Sequence, residues 1–206
     1  KRKHNEDMKK MIKAVIFDIN GVFLESELLS TRFQRDFGVR PSDFISALKS
    51  IMPIVRTPRA ISCFSLFKPY LKKWRVKLNK REFFQYWFSG AHPVVKLIAY
   101  AKTLRQRGIK VFILSNNFKE RTQYYRKHFP DIFASIDKAY FSWETGFVKP
   151  DRRAFLYILQ INGLSSNECL YFDNDAENVE TAQSIGVPAF HYSGFSGMKT
   201  IVENNG

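Results

Sequence analysis

A chain of 206 residues, 45% of them hydrophobic and 16% aromatic, has enough apolar surface for one substantial core, with or without a smaller insertion, and is excluded from the disordered class. No apolar run approaches the ~20 residues that span a bilayer, and the charged stretch Lys1 to Lys10 lacks the apolar segment of a signal peptide, so a soluble cytoplasmic protein without membrane contact is the expectation. The formal charge of +14 implies attraction to phosphates of some kind; nucleic acid is possible, with Lys68, Lys72, Lys73, Arg75 and Lys77 as its patch, but no nucleic-acid module accompanies that run, and solvated helix faces or a basic field around a small anion's pocket are favoured.

In chain order, residues 1–11 read as a frayed basic tail. The apolar run Ala14-Val15-Ile16-Phe17 reads as a buried strand that ends on Asp18. Residues 28–90 then lack a convincing strand and carry helix-like spacing with many aromatics, among them Phe33, Phe44, Phe67, Trp74, Phe83 and Trp87. A connection this long is a helical subdomain, read as a lid whose aromatics mostly form its own core. Beyond it, the runs Val111 to Leu114, Ala139 to Phe141, Leu170 to Phe172 and Val187 to Phe190 read as strands. They alternate with helices predicted at Pro93 to Gln106, Lys119 to Phe129 (halted by Pro130), Asp151 to Ile161 and Ala176 to Ile185. That alternation predicts an α/β fold: a Rossmann-like parallel sheet with helices on both faces and a small α-helical cap. Cys63 and Cys169 lie far apart in unlike contexts and read as small reduced hydrophobes, not a disulfide or metal pair.

Four motifs stand at strand ends: Asp18-Ile19-Asn20-Gly21-Val22; Leu114-Ser115-Asn116-Asn117; Gly146-Phe147-Val148-Lys149-Pro150-Asp151; and Tyr171-Phe172-Asp173-Asn174-Asp175-Ala176-Glu177-Asn178-Val179. A parallel sheet brings all four to one edge, where open α/β folds build their sites. Each has a bland alternative. Asp18 is also readable as an ordinary strand-end acid, Lys149 as a surface lysine, Ser115 as a cap of the following helix, and Asp173 or Asp175 as an N-cap.

Taken together, the motifs resemble the haloacid dehalogenase-like hydrolase superfamily over nearly the whole chain apart from the tail, and the helical insert resembles the cap between the first two motifs in one large branch. On that resemblance the core is residues 12–27 and 91–206 and the cap residues 28–90. The resemblance implies a magnesium-dependent phosphatase acting on a small phosphate monoester. Asp18 would attack phosphorus to give an aspartyl-phosphate, Ser115 and Asn116 would hold the phosphate or substrate, and Lys149 would balance charge on phosphate and nucleophile. Mg2+ would be held by Asp18, the backbone carbonyl of Asn20, Asp173, Asn174 and Asp175, with Gly21 and Asn178 in support.

Two positions depart from the family pattern. Asn20 stands where phosphatases usually carry a second aspartate that cycles a proton, and Asn174 stands where the direct metal-binding acid is expected. An amide cannot cycle a proton, which removes help worth ~100 to 10,000-fold. Two competing readings follow: a metal-independent 2-haloacid dehalogenase, in which Asp18 attacks carbon, and a catalytically weakened protein that binds a phosphorylated ligand or partner without turnover. Neither oligomeric state nor natural substrate is legible in the chain.

Overall fold

The computed structural model describes residues 11–205; the remainder of the predicted basic tail, residues 1–10, lies outside the described residues. In chain order the elements are β1 (Ala14–Phe17), β2 (Leu24–Ser26), α1 (Leu29–Phe37), α2 (Pro41–Val55), α3 (Cys63–Lys73), α4 (Lys80–Phe88), β3 (Ala91–Pro93), α5 (Val95–Gln106), β4 (Lys110–Ser115) and α6 (Lys119–His128). They continue with α7 (Pro130–Ala134), β5 (Lys138–Phe141), α8 (Ser142–Thr145), α9 (Arg152–Ile161), β6 (Cys169–Asp173), α10 (Ala176–Ser184), β7 (Ala189–His191) and α11 (Phe195–Asn205).

Five strands form one parallel sheet in the order β5-β4-β1-β6-β7. β1 is buried along its whole length, as a central strand covered on both faces must be. Its odd positions Val15 and Phe17 join Val111, Ile113, Leu170 and Phe172 beneath α5 and α11. Its even positions Ala14 and Ile16 join Phe112, Leu114 and Tyr171 beneath α9 and α10. The period of two therefore builds two cores, one on each face. The chain leaves β1 toward β4 on one side and later fills β6 and β7 on the other. That reversal opens a crevice at the carboxyl ends of β1 and β6.

Helices α1 to α4 share a third core of Phe33, Phe44, Phe67, Phe83 and Trp87 with their neighbours, so the insert's aromatics do mostly pack on one another. α4 starts with a capping box, Asn79 Oδ1 accepting from the Glu82 amide at 3.0 Å and Glu82 accepting from the Asn79 amide at 2.8 Å, an arrangement worth about 1 kcal/mol. Arg32 of α1 lies over the Tyr86 ring and donates to the carbonyls of Tyr86 and Trp87 at the end of α4. The insert rests on the sheet domain through Trp87 against Phe118, with ring centroids 5.2 Å apart, and Phe88 against Tyr124, also 5.2 Å.

The secondary structure differs from expectation at several junctions. Pro93 closes β3 and does not open α5, because the chain first pairs β2 with β3 antiparallel at the base of the insert. Pro130 does end α6, and its fixed φ then starts α7 directly. Val187 and Pro188 precede β7 without joining it. α8 and α11 were not expected; α11 covers one sheet face with Met198 and Val202. The basic run on the insert lies partly around a hollow of about 880 Å³ lined by Lys68, Lys72, Arg75 and Lys77 over an apolar floor that includes Phe64 and Leu71.

Candidate active site

Register places the first and fourth motifs side by side. Phe17 pairs with Ile113 on one side and Phe172 on the other, so Asp18 and Asp173 emerge from adjacent strands at the crevice. The Asp18 amide still donates to the Phe172 carbonyl at 3.0 Å. The chain then turns sharply: Gly21 has φ +78°, and a side chain there would also meet Asn174 Nδ2 at 2.3 Å. Glycine is thus required for the left-handed backbone, while the exposed Asn174 side chain could swing away from a Cβ.

Lys149 is the hub. The residue is 3% exposed, and its ammonium donates to Asp18 Oδ1 at 2.9 Å, Asp173 Oδ2 at 2.6 Å and Tyr171 Oη at 3.0 Å. Its backbone is clamped by Asn116, whose Nδ2 donates to the Lys149 carbonyl at 2.7 Å and whose Oδ1 accepts from the Lys149 amide at 2.8 Å, beside a cis Lys149-Pro150 bond. Burial alone would lower the Lys149 pKa; Asp18 and Asp173 outweigh it and hold the ammonium above its ordinary value. Burial, with Asp173 nearby, raises Asp18, and Lys149 opposes the rise.

Asp173 accepts from four donors: Lys149 and Asn178 Nδ2 (3.0 Å) on Oδ2, Tyr171 on the same oxygen, and the Asp175 amide (2.9 Å) on Oδ1. Of the two acids readable as N-caps, Asp175 takes that part on α10, accepting from the Glu177 amide at 3.0 Å. Ser115 does not cap the following helix, as α6 starts after Phe118 with no side-chain cap. The Ser115 hydroxyl is instead fully buried near Asp18 and completes no hydrogen bond of good geometry. Asn20 has its amide 3.0 Å from Asp18 Oδ2 and its side-chain Oδ1 2.9 Å from the Tyr125 hydroxyl, which donates to it.

Asp18, Asn20, Asn116, Lys149, Asp173 and Asn174, with Asp175 and Asn178, line one cavity of about 500 Å³, the size of a small-ligand site. Four participants went unread in the sequence. Tyr171 was legible in principle, since two residues before Asp173 on a strand puts it on the same face. Arg121 and Tyr125 sit one turn apart on α6, and Arg121 lines the cavity. Arg56 also lines it from the end of α2, and no spacing in the chain marked it.

Among the described residues no cluster of three or more His, Cys, Asp or Glu side chains is arranged to hold a metal. Asp18, Asn20 and Asn174 line the one cavity and offer between them one carboxylate and neutral amide oxygens. That set suits Mg2+, which keeps several waters and shares substrate phosphate oxygens, better than a cation needing a full protein cage.

A relative from Mycobacterium tuberculosis (strain CDC 1551 / Oshkosh), phosphatase MT3486, is 34% identical over 86 residues, 42% of this chain and 40% of its own length. The HAD family enzyme of Bacteroides thetaiotaomicron superposes with a TM-score of 0.80 at 19% identity over 93% of this chain and 99% of the other. Its complex with magnesium and inorganic phosphate superposes at 0.74 and 18% identity over 91% and 98%. The L-2-haloacid dehalogenase RSc1362 has the same fold at a TM-score of 0.67 and 13% identity over 90% and 88%. With a family model for haloacid dehalogenase-like hydrolase matching residues 12–186, over a parallel sheet that carries the four motifs to one edge, the chain belongs to the haloacid dehalogenase-like hydrolases.

Proposed function

We propose that the chain is a magnesium-dependent phosphatase that cleaves a small phosphate monoester through an aspartyl-phosphate on Asp18. The observation that carries this reading is the Lys149 ammonium held between Asp18 and Asp173 within a polar cavity. Asp18 attacks phosphorus, the new carboxylate O–P bond replaces the ester P–O bond, and the leaving oxygen departs with its electron pair. Water then cleaves the acyl phosphate, which releases inorganic phosphate and restores the carboxylate.

Lys149 stays protonated throughout and offsets charge on the nucleophile and the transferring group. Ser115, buried with its hydroxyl uncommitted, donates to a phosphoryl oxygen. Asn116 acts by fixing the Lys149 loop, since both its amide atoms are committed there. Asp18, the Asn20 carbonyl and Asn174 would hold Mg2+, with Asp175 at the rim; the cation, when bound, neutralises developing phosphate charge. Asp173, with both oxygens committed to donors, braces Lys149 and is not assigned as a ligand. Helices α1 to α4 act as a cap that excludes water.

Asn20 carries the second reading. With its Oδ1 committed to Tyr125, its amide can donate a hydrogen bond to the leaving oxygen but cannot supply a proton, which favours good leaving groups or ligand binding without turnover. Incubation with p-nitrophenyl phosphate and a panel of sugar and nucleotide phosphates, with Mg2+ or EDTA, tests the proposal. Phosphate release that EDTA abolishes is expected, and Asp18→Asn removes it while the chain still folds, since Lys149 keeps its bond to Asp173. Turnover of a 2-haloacid indifferent to EDTA would overturn it in favour of the dehalogenase reading. Silence on both panels with ligand-induced stabilisation would overturn it in favour of binding alone.

A further inference from the structure

Two guanidinium groups in the cavity are unexplained by transfer of a single phosphoryl group. Arg56 enters from the insert, at the end of α2. Arg121 enters from the sheet domain, in the first turn of α6. Among the described residues neither is ion-paired. The carboxylates that share the cavity are committed elsewhere, Asp18 and Asp173 to Lys149 and Asp175 to the start of α10.

The Arg56 Nε is buried and has no hydrogen-bond partner. Burial and the nearby Arg121 both disfavour its charge and outweigh the opposing pull of Asp18, yet a guanidinium does not give up its proton in a protein. Arg121 is held in place: its Nε donates to the Tyr125 hydroxyl at 2.5 Å, and its guanidinium lies 5.3 Å from the Tyr125 ring centroid and 6.0 Å from that of Trp87. Its two terminal nitrogens make no hydrogen bond to a described residue. Two like charges in one cavity, partly desolvated, are unfavourable unless an anion completes them, and guanidinium forks match carboxylate and phosphate oxygens.

We propose that Arg56 and Arg121 form a second anion subsite, which selects phosphate monoesters carrying a further carboxylate or phosphate on the part of the substrate that is not transferred. The subsite presupposes the phosphate-ester reading of the Asp18 centre. Because one arginine belongs to the insert and the other to the sheet domain, the second anion also ties the two together over the reacting group.

A matched pair of probes isolates the effect: 3-phosphoglycerate and glycerol 3-phosphate differ in a carboxylate against a hydroxymethyl group. For the unmodified protein with Mg2+, kcat/KM is expected to favour 3-phosphoglycerate by tenfold or more. Arg56→Gln and Arg121→Gln should each reduce that ratio to threefold or less, with Arg56→Lys in between. A ratio unaffected by Arg56→Gln overturns the subsite. An equal loss on both probes also overturns it, since the guanidinium would then serve the transferred group. If neither probe is hydrolysed, the phosphatase reading stands or falls on the substrate panel above, and the subsite is tested separately by titration calorimetry with the same probes. Tenfold tighter binding of 3-phosphoglycerate that Arg56→Gln removes would uphold it, and equal binding would overturn it.

Discussion

Replacing Lys149 by methionine removes the ammonium that stands between two carboxylates while keeping a side chain of similar length. Side-chain exposure is 10% at Asp18 and 1% at Asp173, so neither carboxylate can recover much solvation. Breaking a buried ion pair by deleting one partner costs about 3–5 kcal/mol. At about 2–4 °C per kcal/mol for a chain of this size, Tm should fall by about 6–20 °C at neutral pH. The loss is unequal between the two acids. Asp173 keeps the donors Tyr171, Asn178 and the Asp175 amide, whereas Asp18 keeps the Asn20 amide. Asp18→Asn added to Lys149→Met should therefore recover most of the deficit, and Asp173→Asn less.

The pH dependence has a definite sign. Burial already raises the Asp18 pKa, and Lys149 is the chief influence opposing the rise. Without Lys149 the folded-state pKa climbs further above its unfolded value. A group raised in this way contributes its stability at low pH and loses it as pH rises through the folded pKa. The gap between the Lys149→Met variant and the unmodified protein should accordingly be widest at neutral pH and narrow under mildly acidic conditions. Differential scanning calorimetry of the single and double variants across pH measures it. A neutral-pH gap below about 1 kcal/mol, a gap independent of pH, or no recovery with Asp18→Asn would each refute the reasoning, since a buried cation-deprived pair cannot be that cheap.

Asn20→Asp should raise kcat on alkyl phosphates more than on p-nitrophenyl phosphate, whose phenolate needs little protonation, with ~100 to 10,000-fold as the ceiling; steady-state rates on both substrates decide, and equal or absent gains would show that the missing acid does not limit turnover. Both cysteines are fully buried and free, and burial pushes their thiols up, Cys169 to about 12. Neither should react with a chromogenic disulfide reagent at neutral pH until the chain is denatured, and a native thiol that titrates would contradict the packing around it.

The strand-end residues were the legible part of this protein because a parallel sheet gathers them by topology alone. Asp18, Ser115, Lys149 and Asp173 each follow or end an apolar run, and order along the chain was enough to bring them together. What escaped was set by side-chain direction. Asn116 lines the cavity as a residue expected near the phosphate would, and its grip on the Lys149 backbone was not foreseen. Tyr171 read as one more apolar strand residue, though its hydroxyl reaches Lys149. Arg56 depends on how the insert sits over the sheet, a long-range packing outcome with no local signature. The insert's helical character was visible as an aromatic stretch without strands, but its β2–β3 base was not, because three-residue strands carry too little pattern to register.

That base has its own consequence. Ser26 pairs with Ala91 and Leu24 with Pro93, so the chain departs from and returns to the sheet domain through one doorway of adjacent strands. Closing a loop of this length costs about 3–4 kcal/mol in chain entropy, a term that grows only with the logarithm of length. Helices can be added, lost or rebuilt beyond the doorway at little further entropic cost, while the register of β1, β4 and β6 is untouched. The strand-end cluster around Lys149 and the four helices of the insert are therefore housed in parts of the fold that can change at separate rates.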